Sequence, residues 1–231
     1  MINTYNETDL HKQLKEFFCP KGGKTEQPLM GSICDILCKN GKVIEIQTSN
    51  LAALRVKLEK FLPLRNVEII YPIPLKSVIT VLNKDGNEIR RRKSPKKGSF
   101  FQIFKELSGI YHLFDSGRLK LKLVYIENEI IKAEKSASAK DGKKRRSERP
   151  GIINKKLTKI SDIEEFKSLS SICTPILKKI PEEFTNKDLI KIGAGKYASY
   201  TSWFFKKCGF IIPVGKKDRF TLYKKNPLRI P

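Results

Sequence analysis

Residues 31–50 read GSICDILCKNGKVIEIQTSN, and this stretch decides how the first half of the chain folds. Two β-type runs, Ile33 to Cys38 and Val43 to Thr48, flank Lys39-Asn40-Gly41. That spacing suits a three-residue hairpin loop with Gly41 where positive φ is required. Such a loop sets Asp35 opposite Glu45. Side chains alternate along a strand, so one face carries Ile33, Asp35, Leu37, Val43, Glu45 and Gln47, and the other Cys34, Ile36, Cys38, Ile44, Ile46 and Thr48. A two-residue Asn-Gly turn would shift the pairing by one and set Asp35 among Ile44 and Ile46, a poor place for a charge.

In the preferred register two carboxylates face each other across the hairpin, which is destabilising unless a cation sits between them. Two carboxylates suit Mg²⁺ or Mn²⁺, and Mg²⁺ keeps several waters and binds beside phosphate oxygens. The alternative is a solvated acidic pair softened by Lys39 and Lys42.

The chain has 231 residues, with 47 Lys and Arg against 24 Asp and Glu, a net charge of +23. That length can bury a core without disulfides, and that charge points to a polyanion, nucleic acid before anionic membrane. No apolar stretch approaches the length of a membrane span, and MINTYNETDL lacks the basic head and apolar core of a signal peptide. The expectation is a cytoplasmic protein with no membrane partner. Cysteines 19, 34, 38, 173 and 208 are odd in number and lack zinc-type spacing, so they read as reduced and mostly buried. Charge is uneven: residues 1–50 balance six Lys with six acids, whereas 201–231 hold eight basic residues and one acid.

Upstream of the hairpin, Asn6 can cap a helix reaching Phe18, with Leu10, Leu14, Phe17 and Phe18 at helical spacing. Glu7 and His11 lie one turn apart on it and can face the same cleft, Glu7 offering a third carboxylate. Residues 19–30 read as a Gly- and Pro-punctuated loop. Downstream, Asn50 to Phe61 reads as a helix with Leu51, Leu54, Leu58, Phe61 and Leu62 inward and Arg55, Lys57 and Lys60 outward, stopped by Pro63. Val67 to Tyr71 follows as a buried strand. Strand, helix, strand implies a crossover, so the hairpin belongs to a mixed sheet covered by helices.

Leu75 to Leu82 and Glu88 to Lys93 form a second hairpin around Asp85-Gly86. It leads into Arg90, Arg91, Arg92, Lys93, Lys96 and Lys97, a run suited to phosphate contact. Leu119 to Ala133 reads as a strand pair turning near Asn128. Residues 137–150 are small, polar and basic and read as a linker between a domain over 1–136 and one over 151–231. In the second, Thr174 and Thr185 can cap two short helices. A third spans about Lys196 to Cys208, and a hairpin with a basic tip at 215–218 follows. Three helices and a hairpin are the order of a winged helix, whose third helix enters the DNA major groove. Tyr197, Thr201, Phe204, Phe205 and Cys208 form its inward stripe, leaving Lys196, Ser199, Tyr200, Trp203, Lys206 and Lys207 as contacts, with Lys216, Lys217 and Arg219 on the wing. A protein-docking winged helix is the other reading.

The constellation of Glu7, Asp35 and Glu45-Ile46-Gln47, framing a hairpin after a helix, resembles the PD-(D/E)XK nuclease superfamily over about the first 130 residues. The resemblance implies a restriction-endonuclease-like α/β fold, Mg²⁺ held by Asp35 and Glu45, phosphodiester hydrolysis, and Glu7 as the additional acid of some branches. Gln47 departs from the lysine usual there; it can orient the attacking water but takes no proton. The expected function is a metal-dependent nuclease, an endodeoxyribonuclease before a ribonuclease, with a homodimer left open. A catalytically inactive DNA-binding regulator on the same fold is the alternative.

Overall fold

A computed structural model describes residues 8–134 and 151–229. Asn6, Glu7 and the expected linker at 137–150 lie outside the described residues. The hairpin forms in the register read from its loop: Ile36 pairs with Ile44 and Leu37 with Val43, and Gly41 takes φ 78°. It joins strands β2 (Ser32–Leu37) and β3 (Val43–Ile46) after helix α1 (Asp9–Phe18) and strand β1 (Lys24–Leu29). The segment expected to be a loop at 19–30 is therefore half strand. β1 is an exposed edge, where Pro28 costs no ladder bond.

A turn of 3₁₀ helix (Leu51–Leu54) and helix α2 (Arg55–Phe61) carry the chain over to β4 (Val67–Leu82), parallel to β3. Val67–Tyr71 and Leu75–Leu82, expected as separate strands, are one strand of 16 residues despite Pro72 and Pro74. The prolines are tolerated because β3 leaves that edge of β4 at Ile70 and β5 (Glu88–Lys93) joins it only at Val78. Between them Ser94 N–H donates to Ser77 O at 2.8 Å and Gly98 N–H to Pro74 O at 2.7 Å. A Cβ on Gly98 would lie 2.7 Å from the Ile73 methyl, so only glycine admits this approach.

After helix α3 (Ile103–Leu107), β6 (Leu119–Ala133) runs parallel to β4 along its whole length. No turn occurs at Asn128. Its side chain is buried and accepts from Ser77 Oγ at 2.6 Å, which lets the strand continue. β7 (Ile152–Phe166) then pairs antiparallel with β6 and completes a seven-stranded sheet in the order β1-β2-β3-β4-β6-β7, with β5 on β4. Residues 152–166, expected to open a second domain, thus belong to the first sheet. Their exposed, charged alternation gave no strand signal without a partner in view.

Helices cover both faces of this mixed sheet. Leu10 and Leu14 of α1 pack with Ile36, Cys38, Ile44, Ile46, Ile70 and Val124, whereas Phe17 is exposed. On the other face Leu51, Leu54, Leu58 and Phe61 pack with Val43, Ile69 and Phe104. Among the described residues no helix is long and apolar enough to cross a membrane.

The remainder comprises α4 (Leu169–Leu177), β8 (Glu183–Phe184), α5 (Asn186–Lys191), α6 (Ala198–Lys207), β9 (Ile211–Lys217) and β10 (Phe220–Lys225), the strands forming a second sheet in the order β8-β10-β9. α4 is capped by Ser168, not Thr174, which lies inside it; Thr185 caps α5 as expected. The expected inward stripe of α6 holds, since Thr201, Phe204 and Phe205 are buried. They pack on the sheet body: the Phe104 ring lies 5.3 Å from those of both Phe204 and Phe205. One hydrophobic core therefore runs from Cys34 to Ile211. The two parts should melt in one transition, and Phe104→Ala should cost about 3–5 kcal/mol in denaturant unfolding. Two separated transitions in the parent protein would contradict the shared core.

Candidate functional site

The site begins where the β2–β3 ladder ends. Opposite Asp35 on the β1 side, Glu26 takes φ 54° and the Glu26–Asp35 pair is missing from the ladder. Alternation slips there. Cys34, expected beside Ile36, joins the core on the α2 face, while Ile36 stays on the α1 face. Asp35 turns into the gap between strands, and its Oδ2 accepts from the Ile46 N–H at 2.7 Å. His11 Nε2 lies 2.9 Å from the Ile46 carbonyl oxygen and 3.5 Å from Asp35 Oδ2. Both neighbours are acceptors, so Nε2 carries the hydrogen. Burial opposes ionisation of Asp35, but the hydrogen bonds from His11 and Ile46 and the nearby positive charge outweigh it and hold the carboxyl below its usual range.

Glu45, flanked by strands on both sides, is 1 % exposed. Burial first, then the Asp35 charge, pushes its carboxyl up to about 7, against the pull of Lys57. Lys57 Nζ donates to Oε2 at 2.5 Å, while Oε1 is buried without a hydrogen-bond partner. Lys57, expected to point outward, reaches this site because it lies on the flank of the α2 stripe. It is three residues after Leu54 and four before Phe61, a signal readable only with the acid pair in view. Lys42, expected to soften the pair, instead lies 3.3 Å from Glu68 Oε2. The Cys34 thiol is raised by burial and then by the Glu45 charge, which disfavours its thiolate.

Gln47 follows directly after β3, but its Nε2 donates to Ser49 O at 2.5 Å and approaches Asn50 O at 3.4 Å. Its amide is spent on the loop. Glu7, the remaining expected acid, lies outside the described residues. Among the described residues no group of three His, Cys, Asp or Glu is arranged to hold a metal. Two carboxylates suffice for Mg²⁺ or Mn²⁺ if waters and phosphate oxygens complete the shell. Glu45 Oε1, an acceptor without a hydrogen-bond partner among the described residues, can serve as an oxygen ligand, so the pair fits such an ion.

The basic residues divide into three groups. Arg90, Arg91, Arg92 and Lys93 are exposed on β5, and Lys96 and Lys97 follow in the strap to Gly98. Among the described residues Arg91 alone of these forms ion pairs, with Glu88 at 3.6 Å and Glu129 at 3.5 Å. Since Gln47 N–H donates to Ile70 O and Gly98 N–H to Pro74 O on the same edge of β4, the strap ends four residues from the Gln47 contact, which lies two residues past Glu45. That is about 13 Å along the strand. Lys206 and Lys207 are exposed on α6, and Lys216, Lys217 and Arg219 are exposed at the β9–β10 turn, which closes around Asp218 and Arg219 rather than at 215–218. Lys196 and Tyr200 line a cavity against the sheet body instead.

Because the Glu45 carboxyl is raised, its contribution to stability is full below about pH 4.5 and is lost as pH rises through about 7. In metal-free buffer Glu45→Gln should therefore melt at or above the parent at pH 7–8 and match it near pH 4. A variant markedly less stable at pH 8 would make the Lys57 pair a structural ion pair.

The sheet body coincides with a family match covering residues 8–167, from the start of α1 to the end of β7. A Treponema pallidum (strain Nichols) protein named "Uncharacterized protein" is 41% identical over 228 residues, 98% of this chain and 88% of that relative, so the likeness extends through the C-terminal helices and hairpin. No solved structure matches. The chain belongs to the family described as Domain of unknown function (DUF8091).

Proposed function

We propose that this chain is a metal-dependent nuclease that hydrolyses phosphodiester bonds in DNA, built on the PD-(D/E)XK plan. The observation that carries the reading is the buried Glu45 carboxylate, with one oxygen unpartnered, set across a hairpin from an ionised Asp35. Helix, hairpin, crossover helix and parallel strand surround it in the order that the resemblance implies. A bound Mg²⁺ or Mn²⁺ would supply Lewis-acid activation of the phosphate and an acidified water.

The chain's own residues do the rest. Asp35 and Glu45 would hold the ion, and the Ile46 N–H and His11 orient Asp35. Lys57 holds Glu45 and brings positive charge to the site, the charge Gln47 lacks. Arg90, Arg92, Lys93, Lys96 and Lys97, without ion pairs among the described residues, continue along the same strand edge, so a phosphate backbone lying on them runs toward the acid pair.

The C-terminal part, ordered helix, strand, helix, helix, hairpin, supports a winged-helix reading. Trp203, Lys206 and Lys207 would meet the duplex, with Lys216, Lys217 and Arg219 on the wing. A second reading, a DNA-binding regulator without activity, is favoured by one observation: the Lys57 ammonium already lies against the buried carboxylate, where a metal's charge would fall.

Incubating the purified chain with plasmid DNA or RNA, with Mg²⁺, Mn²⁺ or EDTA, decides between them. Metal-dependent cleavage should fall at least a hundredfold in Asp35→Asn and in Glu45→Gln, with duplex affinity within about twofold of the parent. Lys57→Met should lower the rate more than Gln47→Ala. Tight duplex binding with no cleavage in either metal would leave the regulator. Each neutralised phosphate contact lowers the salt slope of binding by about 0.9. Replacing Lys93, Lys96 and Lys97 together with Gln should therefore shallow it by about two to three, and an unchanged slope would remove the strap from the interface.

A further inference from the structure

The wall between the sheet body and the C-terminal helices contains a cavity of about 330 Å³, lined by Tyr71, Gln102, Lys105 and Glu106 on one side and Lys196, Tyr197 and Tyr200 on the other. Its size lies at the lower end of small-molecule sites, roughly 300–1,000 Å³, too small for a duplex. Tyr71 directly follows Ile70, whose carbonyl accepts from the Gln47 N–H, and Glu106 Oε2 accepts from the Leu51 N–H at 3.2 Å. Two residues of the sheet-body wall thus adjoin the ends of the loop that follows Glu45.

The lining is chemically mixed in a specific way. Lys105 Nζ lies 6.0 Å from the Tyr200 ring centroid and Lys196 Nζ 5.1 Å from that of Tyr197, so each cation stands against an aromatic face. Tyr200 is 45% exposed, leaving ring surface open to a ligand. Tyr71 is buried, receives Gln102 Nε2 at 3.4 Å, and is pushed up to about 12 by burial and the Glu106 charge, so it remains a neutral O–H donor. Two cations, one carboxylate, open aromatic surface and a neutral donor suit a planar heterocycle carrying a phosphate.

We infer that this cavity receives one unpaired nucleotide of the strand lying on the acid pair, its base against Tyr200 and its phosphate between Lys105 and Lys196. The inference rests on the nucleic-acid reading and deepens it: the substrate would carry a flipped, bulged or single-stranded nucleotide beside the scissile bond.

The test is fluorescence anisotropy of the full chain, in EDTA, with a 20-base-pair duplex and with the same duplex carrying one central unpaired nucleotide. The parent should prefer the bulged duplex at least fivefold. Tyr200→Ala and Lys196→Ala should each bring that ratio near one, since removing a stacked aromatic lowers affinity for a base about tenfold. Tyr200→Phe, which keeps the ring, should retain it. A parent ratio of one, or a ratio unmoved in Tyr200→Ala, overturns the inference while leaving duplex binding and cleavage to stand on their own assays. Failure to bind either duplex overturns it together with the reading beneath it.

Discussion

A strand has two edges, and β6 occupies one edge of β4 from Val67 to Leu82, with a single irregularity between Pro74 and Lys76. Everything else that pairs with β4 must share the other. β3 takes its first four residues, β5 its last five, and the strap through Ser94 and Gly98 bonds the span between. This constraint aligns the hairpin's carboxylates and the basic run, far apart in sequence, along one line. It also explains why Pro72 and Pro74 survive in the middle of a central strand, where a full ladder on both sides would exclude them.

The same face of the sheet decides how the C-terminal part attaches. α3 presents Phe104 outward from the sheet, and α6 answers with Phe204 and Phe205. Aromatic side chains bury more area than any others, so this three-ring contact makes a linked unit of two parts that would otherwise be independent. Around the start of α6, Lys196 and Tyr200 line the cavity against the body, while Trp203, Lys206 and Lys207 lie outside it. A helix that reads as one contact surface thereby presents two.

At the acid pair, desolvation and charge oppose one another. Asp35 has the Ile46 N–H and His11, and stays ionised; Glu45 has Lys57 on one oxygen only, and its ionisation is disfavoured by burial and by Asp35. An unpartnered buried oxygen is costly, and fold stability gives no reason to keep it. That cost motivates a cation-binding function for the pair, since a bound cation would satisfy the oxygen and relieve the repulsion at once.

The hairpin register, Gly41 at its turn, the leucine stripe of α2 and the inward stripe of α6 were all legible in the chain alone, because each depends on periodicity and turn chemistry within about twenty residues. Asp35 and Glu45 were legible for the same reason: a short loop leaves one register that keeps both charges out of the apolar face. Tertiary structure decided the rest. β7 carries little alternating signal, and only the bare edge of β6 makes it a strand. Asn128 reads as a turn until Ser77 supplies its partner across the sheet. Lys57 reads as solvent-facing until the hairpin brings Glu45 beneath α2, and Gln47 reads as a site residue until its amide finds Ser49. The first three depend on partners beyond the local window, and local pattern contains no information about which partner will arrive; the partner of Gln47 is two residues away, but its carbonyl is presented only by the bend that follows β3.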